Sequence, residues 1–268
     1  MRAVEAVQDF GRARGMPAKD VFGLALALEE CGTNIVNYAY QRDATQTFGV
    51  TIEEVNGGLA VELRDRGPAF DPTTAQEREP DTDNDDRPPG GWGLPLVRRF
   101  VDEVRYARED RENVLRITKR CGIPRVRLDA ARLTISAMPL EIHIQQDCFA
   151  QNASAVSVKL VGSLDTATAP ELEQQLKPLL AGPVKDMVFD LAQLKFVSSA
   201  GLRVFSITRR QLKDRGGRAV FVNLQPQIKE VFEIIWSLPG VAVFQTMEEL
   251  DAYLIERQKA HENKPATS

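Results

Sequence analysis

Three polar side chains in the first part of the chain have a spacing that could support chemistry. Glu30, Asn34 and Asn37 lie four and three residues apart, so on a helix they share one face. A carboxylate beside a carboxamide can hold a hydrated magnesium ion and orient a hydroxyl group for deprotonation. Taken alone, the trio favours the simpler interpretation, a polar face of a helix exposed to water.

A second group follows a strand-like run. Asp65 stands at the end of that run, and Gly67 follows two residues later. A carboxylate at a strand end can accept a hydrogen bond from an exocyclic amine such as that of adenine, and a glycine lets the backbone pass close to the ring. In isolation, an Asp-Gly type of turn is the safer interpretation.

A glycine-rich segment, residues 90–94 (GGWGL), opens a predicted helix. Backbone N–H groups at such a helix start bind phosphate. The segment is not a P-loop, because no Gly-Lys-Ser/Thr follows, and it is not a dinucleotide fingerprint, because a long loop precedes it. A single glycine-rich segment is a weak signal.

The second half of the chain has a candidate modification site at Ser199. This serine lies near a predicted helix start, where a serine is by default an N-cap. A phosphate at that position would be stabilised by the same helix N-terminus, which makes it suitable for a reversible switch.

The elements that must position these residues differ between the two halves. The first half predicts helices over residues 1–15, 21–40 and 93–102, a hairpin around residues 48–63, and closing strands at 104–107 and 114–118. In the second half, strands at 156–161, 187–191 and 219–222 alternate with helices at 169–180, 202–215, 226–235 and 247–256. Such alternation predicts a sheet with packed helices. The proline-rich segment 67–91 is functional or disordered.

The order of these features resembles that of the GHKL ATPase superfamily. The residues within the motifs are most similar to those of its anti-sigma serine kinases. Residues 28–34 (LEECGTN) look like the N box, residues 65–72 (DRGPAFDP) like the first glycine box and residues 90–96 like the second. The resemblance implies that Glu30 is the general base, that Asn34 binds magnesium and that Asp65 reads the adenine amine. It also implies a lid over residues 67–90, and nucleotide contacts from Gly67, Gly91, Gly93 and Leu94.

The second half resembles the STAS domains of anti-anti-sigma factors. The similarity lies in residues 162–170 (GSLDTATAP) and in residues 197–202 (VSSAGL), which look like the phosphorylation loop. It implies that Ser199 is the phosphoacceptor, with Ser198 as the second choice. His143 and His261 lack the setting of a phosphoaccepting histidine, which favours a serine-directed kinase.

Together the resemblances imply an α+β or α/β architecture: a GHKL (Bergerat-type) ATPase α/β sandwich in residues 1–120, a linker in 121–137, a STAS domain in 138–256 and a polar tail in 257–268. The expected function is an ATP- and Mg²⁺-dependent serine kinase that regulates a sigma factor by partner switching. Expected partners are the sigma factor, a STAS domain in cis or in trans, a phosphoserine phosphatase and a second copy in a homodimer. A non-catalytic ATP-binding switch module stays open as the alternative.

The amino-acid composition bears on nucleic-acid binding, membrane insertion and cellular compartment. With 34 basic and 38 acidic side chains, the net charge of −4 predicts no direct contact with nucleic acid. The apolar runs are shorter than the ~20 residues that a membrane-spanning helix needs, so we expect no membrane-spanning helix. Three cysteines without paired spacing suit a reducing cytoplasm.

Overall fold

The computed structural model describes residues 2–74, 91–123, 140–146, 155–235 and 242–244, and these fall into two units. The first unit takes its residues from Met1–Pro139, Leu164–Pro170 and Phe196–Arg203. The second takes its residues from Leu140–Ser163, Glu171–Lys195 and Val204–Ser268. Most of the predicted lid and linker, the predicted helix 247–256 and the tail lie outside the described residues.

Two helices begin the first unit. α1 spans Arg2–Ala13 and ends at Gly15, whose φ of +68° lets the Met16 N–H bond back to the Gly11 carbonyl at 3.0 Å. Pro17 then precedes α2, which spans Ala18–Asn34. A short π-helix, Ile35–Ala39, continues it. A π-helical turn of this kind often marks a functional site.

α2 is buried on all sides over its central twelve residues, Val21–Gly32. The simpler interpretation of the polar trio, a helix face exposed to water, is therefore wrong for Glu30. The reason is that neighbours pack around it: the Phe22 ring lies 5.6 Å from that of Phe100 and 5.5 Å from that of Phe196, measured between centroids. A helix enclosed in this way forms the centre of a core.

The first unit contains an antiparallel sheet of four strands in the order β1-β2-β4-β3. The strands are β1 (Gly49–Val55), β2 (Gly57–Asp65), β3 (Glu103–Glu109) and β4 (Glu112–Ile123). The helix α3, Gly93–Phe100, precedes β3. The predicted hairpin and closing strands are thus present, and β3 and β4 extend beyond the predicted bounds.

The second sheet has the order β5-β6-β7-β8-β9. Its strands are β5 (Glu141–Gln146), β6 (Ala155–Leu164), β7 (Asp186–Val197), β8 (Arg218–Val222) and β9 (Ala242–Phe244). β5 pairs antiparallel with β6, whereas β7, β8 and β9 run parallel. β5 and β9 are not among the predicted strands; β9 has only three residues, too few to show an alternating pattern.

Three helices belong to the second half: α4 (Ala169–Ala181), α5 (Ser199–Asp214) and α6 (Pro226–Ile235). Four phenylalanine rings from β7, α5, β8 and α6 pack with centroids 5.1 to 6.0 Å apart: Phe189, Phe205, Phe221 and Phe232. Edge-to-face and offset contacts of this kind stabilise a core beyond the area that they bury.

The start of α5 differs from the prediction in a way that matters for function. The helix begins at Ser199, three residues earlier than the predicted residue 202, so Ser199 is its first residue and Ser198 precedes it. The interpretation of Ser199 as the N-cap is therefore wrong by one position.

No helix in the described part of the chain has the length and apolarity needed to cross a membrane.

Candidate functional site

Glu30 lies in the last part of α2 and accepts two hydrogen bonds from one residue of the first unit, Ser199. The Ser199 N–H donates to Oε1 at 2.7 Å, and the Ser199 hydroxyl donates to Oε2 at 2.5 Å. Glu30 is 4% exposed, so water does not replace these bonds readily. The structure brings together two residues 169 positions apart: the predicted general base and the predicted phosphoacceptor.

Burial changes the acidity of Glu30. It raises the pKa of Glu30 from 4.5 to about 7, against the lowering effect of the two bonds from Ser199; the neighbouring Glu29 carboxylate adds to the rise. A carboxylate with a pKa near neutrality both accepts and returns a proton at physiological pH. That property is required of a general base.

The N-terminus of α3 lies against Glu30. A Cβ atom at Gly93, the first residue of α3, would stand 2.6 Å from Glu30 Oε2, so this position has no room for a side chain. Gly91 has a φ of +83°, which a side chain would strain. Leu94 is half-buried as the second residue of the helix. The glycine-rich segment therefore exposes backbone at the helix start beside the carboxylate.

Asp65 is buried at the end of β2, in register with Asn113 on β4. Its Oδ1 accepts bonds from the Gly67 N–H at 2.8 Å and from Asn113 Nδ2 at 2.9 Å. A Cβ at Gly67 would lie 2.6 Å from the Cβ of Ala39. The turn after β2 is thus fixed by one carboxylate and packed tightly against the π-helix.

Asn113 is a site residue that the sequence patterns do not identify. It is 5% exposed, and its Oδ1 accepts from the Tyr106 hydroxyl at 2.8 Å and from Arg108 at 2.7 Å. Arg108 also donates to the Gly67 carbonyl at 3.0 Å. The available signal, a lone amide at the start of an apolar run, becomes informative only when the register of β2 and β4 is known.

The predicted trio on α2 is not preserved as one face. Asn34 is the last residue of α2 and is half-buried, one turn beyond Glu30. Asn37 falls in the π-helix and accepts a bond from Arg42 Nε at 3.0 Å. The regular helical spacing therefore ends at Asn34, and Asn37 takes part in a local surface contact.

The two candidate phosphoacceptors differ in access. Ser198 is fully buried, and its hydroxyl has no hydrogen-bond partner among the described residues. Ser199 is half-buried, with its hydroxyl on Glu30. These environments favour Ser199 over Ser198.

A cleft of about 240 Å³ lies along α3. Of the residues predicted to bind nucleotide it includes Leu94; its other walls come from Cys31, Thr73, Arg98 and neighbouring side chains. Glu30 and Asp65 do not line this cleft, although Cys31, the neighbour of Glu30 in sequence, does. Among the described residues, no group of three or more His, Cys, Asp and Glu side chains is arranged to hold a metal ion.

The residues present fit a nucleotide. The buried Asp65 carboxylate takes both of the bonds named above on Oδ1, so neither of them involves Oδ2, the atom suited to an exocyclic amine. Gly67 and Gly93 are positions where backbone replaces side chain, and α3 presents its N-terminal N–H groups beside Glu30. These are one acceptor for a base and a set of donors for phosphates.

Comparison with known proteins identifies the families of the two parts of the chain. Residues 1–119 match the histidine kinase-like ATPase domain family, and residues 146–250 match the STAS domain family. The chain is 33% identical over 97 residues to the serine/threonine-protein kinase BtrW of Bordetella bronchiseptica, which covers 36% of this chain and 68% of that kinase. It is 32% identical over 84 residues to the anti-sigma-B factor antagonist of Bacillus subtilis, covering 31% and 76% respectively.

A solved structure of an anti-sigma factor antagonist from Mycobacterium paratuberculosis also matches. It is 20% identical and has a TM-score of 0.38, with 45% of this chain and 99% of that chain covered. The predicted fold class is confirmed by the two family matches. The chain belongs to the histidine kinase-like ATPase family in its first part and to the STAS family in its second.

Proposed function

We propose that this chain is a partner-switching regulator of a bacterial sigma factor, in which the ATPase domain phosphorylates Ser199 of the STAS domain. The observation that carries the proposal is the 2.5 Å hydrogen bond from the Ser199 hydroxyl to Glu30. A general base must lie within hydrogen-bond reach of the proton that it removes. Relatives of the two parts carry the names of a serine/threonine kinase and of an anti-sigma factor antagonist, which supports this pairing of roles.

An ATPase domain implies ATP binding, and we assign the nucleotide contacts as the sequence predicts them. Asp65 accepts from the adenine amine, and Gly67 lies under the ring. Backbone groups of Gly91, Gly93 and Leu94 hold the phosphates. Asn34 contributes an oxygen to Mg²⁺, a cation that is usually bound through few protein oxygens, substrate phosphates and water.

The chemistry assigned to this chain is a proton transfer and a bond formation. ATP, when bound, supplies the phosphoryl group, with ADP as the leaving group. Glu30 removes the proton from the Ser199 hydroxyl, and Oγ forms the new O–P bond. Burial of Glu30 keeps its pKa close to neutrality, so the carboxylate form is available to accept that proton.

The same contact also supports the alternative, a non-catalytic ATP-binding switch module. Each carboxylate oxygen of Glu30 accepts a hydrogen bond from Ser199. These bonds hold the Ser199 segment against α2 even if no phosphate is transferred. In that case the sigma factor or a STAS partner would be sequestered according to nucleotide state, and no phosphatase would be needed. Tight ATP binding without turnover distinguishes this module from the kinase.

The test is to incubate the intact chain with ATP labelled at the γ-phosphate and to map the label by peptide. We expect label on Ser199, none in Ser199→Ala, and at least a roughly hundredfold slower reaction in Glu30→Gln. Ser198→Ala is the matched control and should retain the label. Nucleotide binding without label on Ser199 would overturn the kinase in favour of the switch module.

A further inference from the structure

Thr166 makes a second contact with α2, well away in sequence from Ser199. We propose that Thr166, held by Glu29 and Thr33, is a docking point that positions Ser199 on Glu30. Its effect on the rate of phosphorylation rests on the function proposed above, whereas its effect on local structure does not. Thr166 is therefore a positioning residue: through it, Glu29 and Thr33 of α2 hold the part of the chain that lies next to Ser199.

The contacts of Thr166 are specific. Its N–H donates to Glu29 Oε1 at 3.1 Å, and its hydroxyl lies 3.2 Å from the hydroxyl of Thr33. Glu29 and Thr33 are four residues apart on α2, so they share one face of the helix. All three residues belong to the first unit.

Burial makes the Glu29 contact selective. Glu29 is 1% exposed, and its Oε2 has no hydrogen-bond partner in the described part of the chain. Burial raises the pKa of Glu29, while the bonds from Thr166 lower it. A buried acceptor without a donor is costly. A segment with proline at this position, or with its N–H already bonded elsewhere, would leave Oε1 unpartnered as well, so the site discriminates against such segments.

Hydrogen bonds within the Thr166 segment itself fix its backbone for this contact. The Asp165 carboxylate accepts bonds from the N–H groups of Ala167 and Thr168 at 2.9 and 3.0 Å. This local turn satisfies the amides that follow Thr166. The Thr166 N–H is directed instead to Glu29, so little ordering is needed on docking.

A short connection transmits the position of Thr166 to Ser199. The Ser198 N–H donates to the Leu164 carbonyl at 2.9 Å. A Cβ at Gly201 would lie 2.6 Å from Leu164 Cγ, so the two segments are in tight contact. The segments 164–170 and 196–203 therefore hold each other, and fixing Thr166 against α2 restricts the placement of the Ser199 hydroxyl on Glu30.

The experiment uses the full chain and two readouts: the rate of phosphate incorporation at Ser199, and amide hydrogen exchange of Thr166 and Ser199 without nucleotide. Thr166→Val and Thr33→Val each remove one hydroxyl and keep the shape. We expect each to slow phosphorylation and to speed exchange roughly threefold to tenfold. The effect of the double variant should be smaller than the sum of the two single effects, because both substitutions remove the contact between the Thr33 and Thr166 hydroxyl groups.

Two further variants guard against a merely structural effect. Thr33→Ser keeps the hydroxyl and should restore both readouts, whereas Thr45→Val, in an exposed turn elsewhere, should change neither. Affinity for ATP should be unchanged in all of these variants, since none of the altered residues is assigned to nucleotide.

The outcomes separate the two proposals. If the unaltered chain carries no phosphate on Ser199 but Thr166→Val still speeds exchange at Ser199, the kinase is overturned and the docking point stands. If Thr166→Val and Thr33→Val leave exchange at both amides unchanged, the docking point is overturned, whatever the phosphorylation result.

Discussion

At the scale of single residues, burial decides what Glu30 can do. The same carboxylate on a water-exposed helix would be ionised throughout the physiological range and would be a weak base. Enclosed in α2 beside Glu29, it has a pKa of about 7 and two donors from Ser199. The residue type makes the chemistry possible, and the surroundings set its pH range.

A pH dependence of stability follows from that shift. The folded protein binds a proton at Glu30 up to a pH of about 7, whereas the ordinary pKa is 4.5. Between these values the folded state holds more protons than the unfolded state. The contribution is therefore complete below the unfolded pKa and is lost as the pH rises to about 7, by an amount on the order of 3 kcal/mol.

We expect Glu30→Gln to flatten this part of the profile. Urea unfolding of both proteins from about pH 5 to about pH 8 measures it. Glu29, whose pKa is also raised by burial, contributes in the same direction in both proteins, so the difference between the two curves reports Glu30. Parallel curves would show that Glu30 does not titrate in this range. The phosphorylation rate should rise with pH through the same region.

At the scale of elements, the pairing of β2 with β4 fixes the end of β2. Asn113 donates to Asp65 and to the Pro68 carbonyl at 3.0 Å, so one strand orients the turn that follows the other. The nucleotide contacts assigned to Asp65 and Gly67 depend on this cross-strand amide.

Asn113→Ala should remove these two bonds and also the two that Asn113 accepts from Tyr106 and Arg108, and it leaves the buried Asp65 with fewer donors. We expect the free energy of unfolding to fall by about 1 to 3 kcal/mol and ATP affinity to weaken roughly tenfold. Asn223→Ala is the control: Asn223, directly after β8, donates to Asp190 of β7 at 2.9 Å, and its φ of +57° adds backbone strain to the loss of that bond. That variant should lose stability and keep its ATP affinity; equal affinity losses in both would contradict the assignment.

The start of α3 allows a second prediction at this scale. Gly93→Ala would place a Cβ 2.6 Å from Glu30 Oε2 in a buried region, so the helix or the carboxylate must move. We expect a loss of stability of about 1 to 3 kcal/mol. Phosphorylation of Ser199 should fall more than stability alone explains.

Gly182→Ala provides the comparison for Gly93→Ala. There the nearest atom to a new Cβ is the Pro178 carbonyl oxygen at 3.4 Å, an ordinary contact. Thermal unfolding and labelling of both variants would measure the difference. If Gly93→Ala behaves like Gly182→Ala in both assays, the close approach of α3 to Glu30 has no functional role.

At the scale of the whole molecule, the base and the acceptor belong to one chain. Linking an enzyme to its substrate makes the encounter intramolecular, and the rate then does not depend on protein concentration. The bond between Glu30 and Ser199 within one chain supports this expectation.

A mixing experiment tests the expectation directly. Glu30→Gln keeps its acceptor and lacks the base, and Ser199→Ala keeps the base and lacks the acceptor. For a reaction in cis we expect the mixture to remain unlabelled, and the unaltered chain to follow a first-order course with the same rate constant at all protein concentrations. Labelling of the Glu30→Gln chain in the mixture would instead indicate transfer between chains, as in a homodimer.

Many features of this protein can be predicted from short sequence patterns, because each pattern depends on residues that are close together in sequence. Residue type and spacing identify the main candidate residues: Glu30, Asp65, Gly67, Gly93 and Ser199. Their order indicates the two families. Most helices and strands are predictable for the same reason, since periodicity depends on neighbours in sequence.

Other features depend on distant parts of the chain. The burial of Glu30 requires packing around α2, and the role of Asn113 requires the register of β4 against β2. The preference for Ser199 over Ser198 depends on the burial of Ser198 and on the contact between the Ser199 hydroxyl and Glu30.

The sequence by itself determined the two families, the candidate base and the candidate acceptor. Only the tertiary structure decided that Glu30 contacts Ser199, and that Thr166 is held by Glu29 and Thr33. The physical reason is that residue type and local spacing specify which groups are present, whereas desolvation and hydrogen bonding across 133 to 169 residues arise only when the chain is folded.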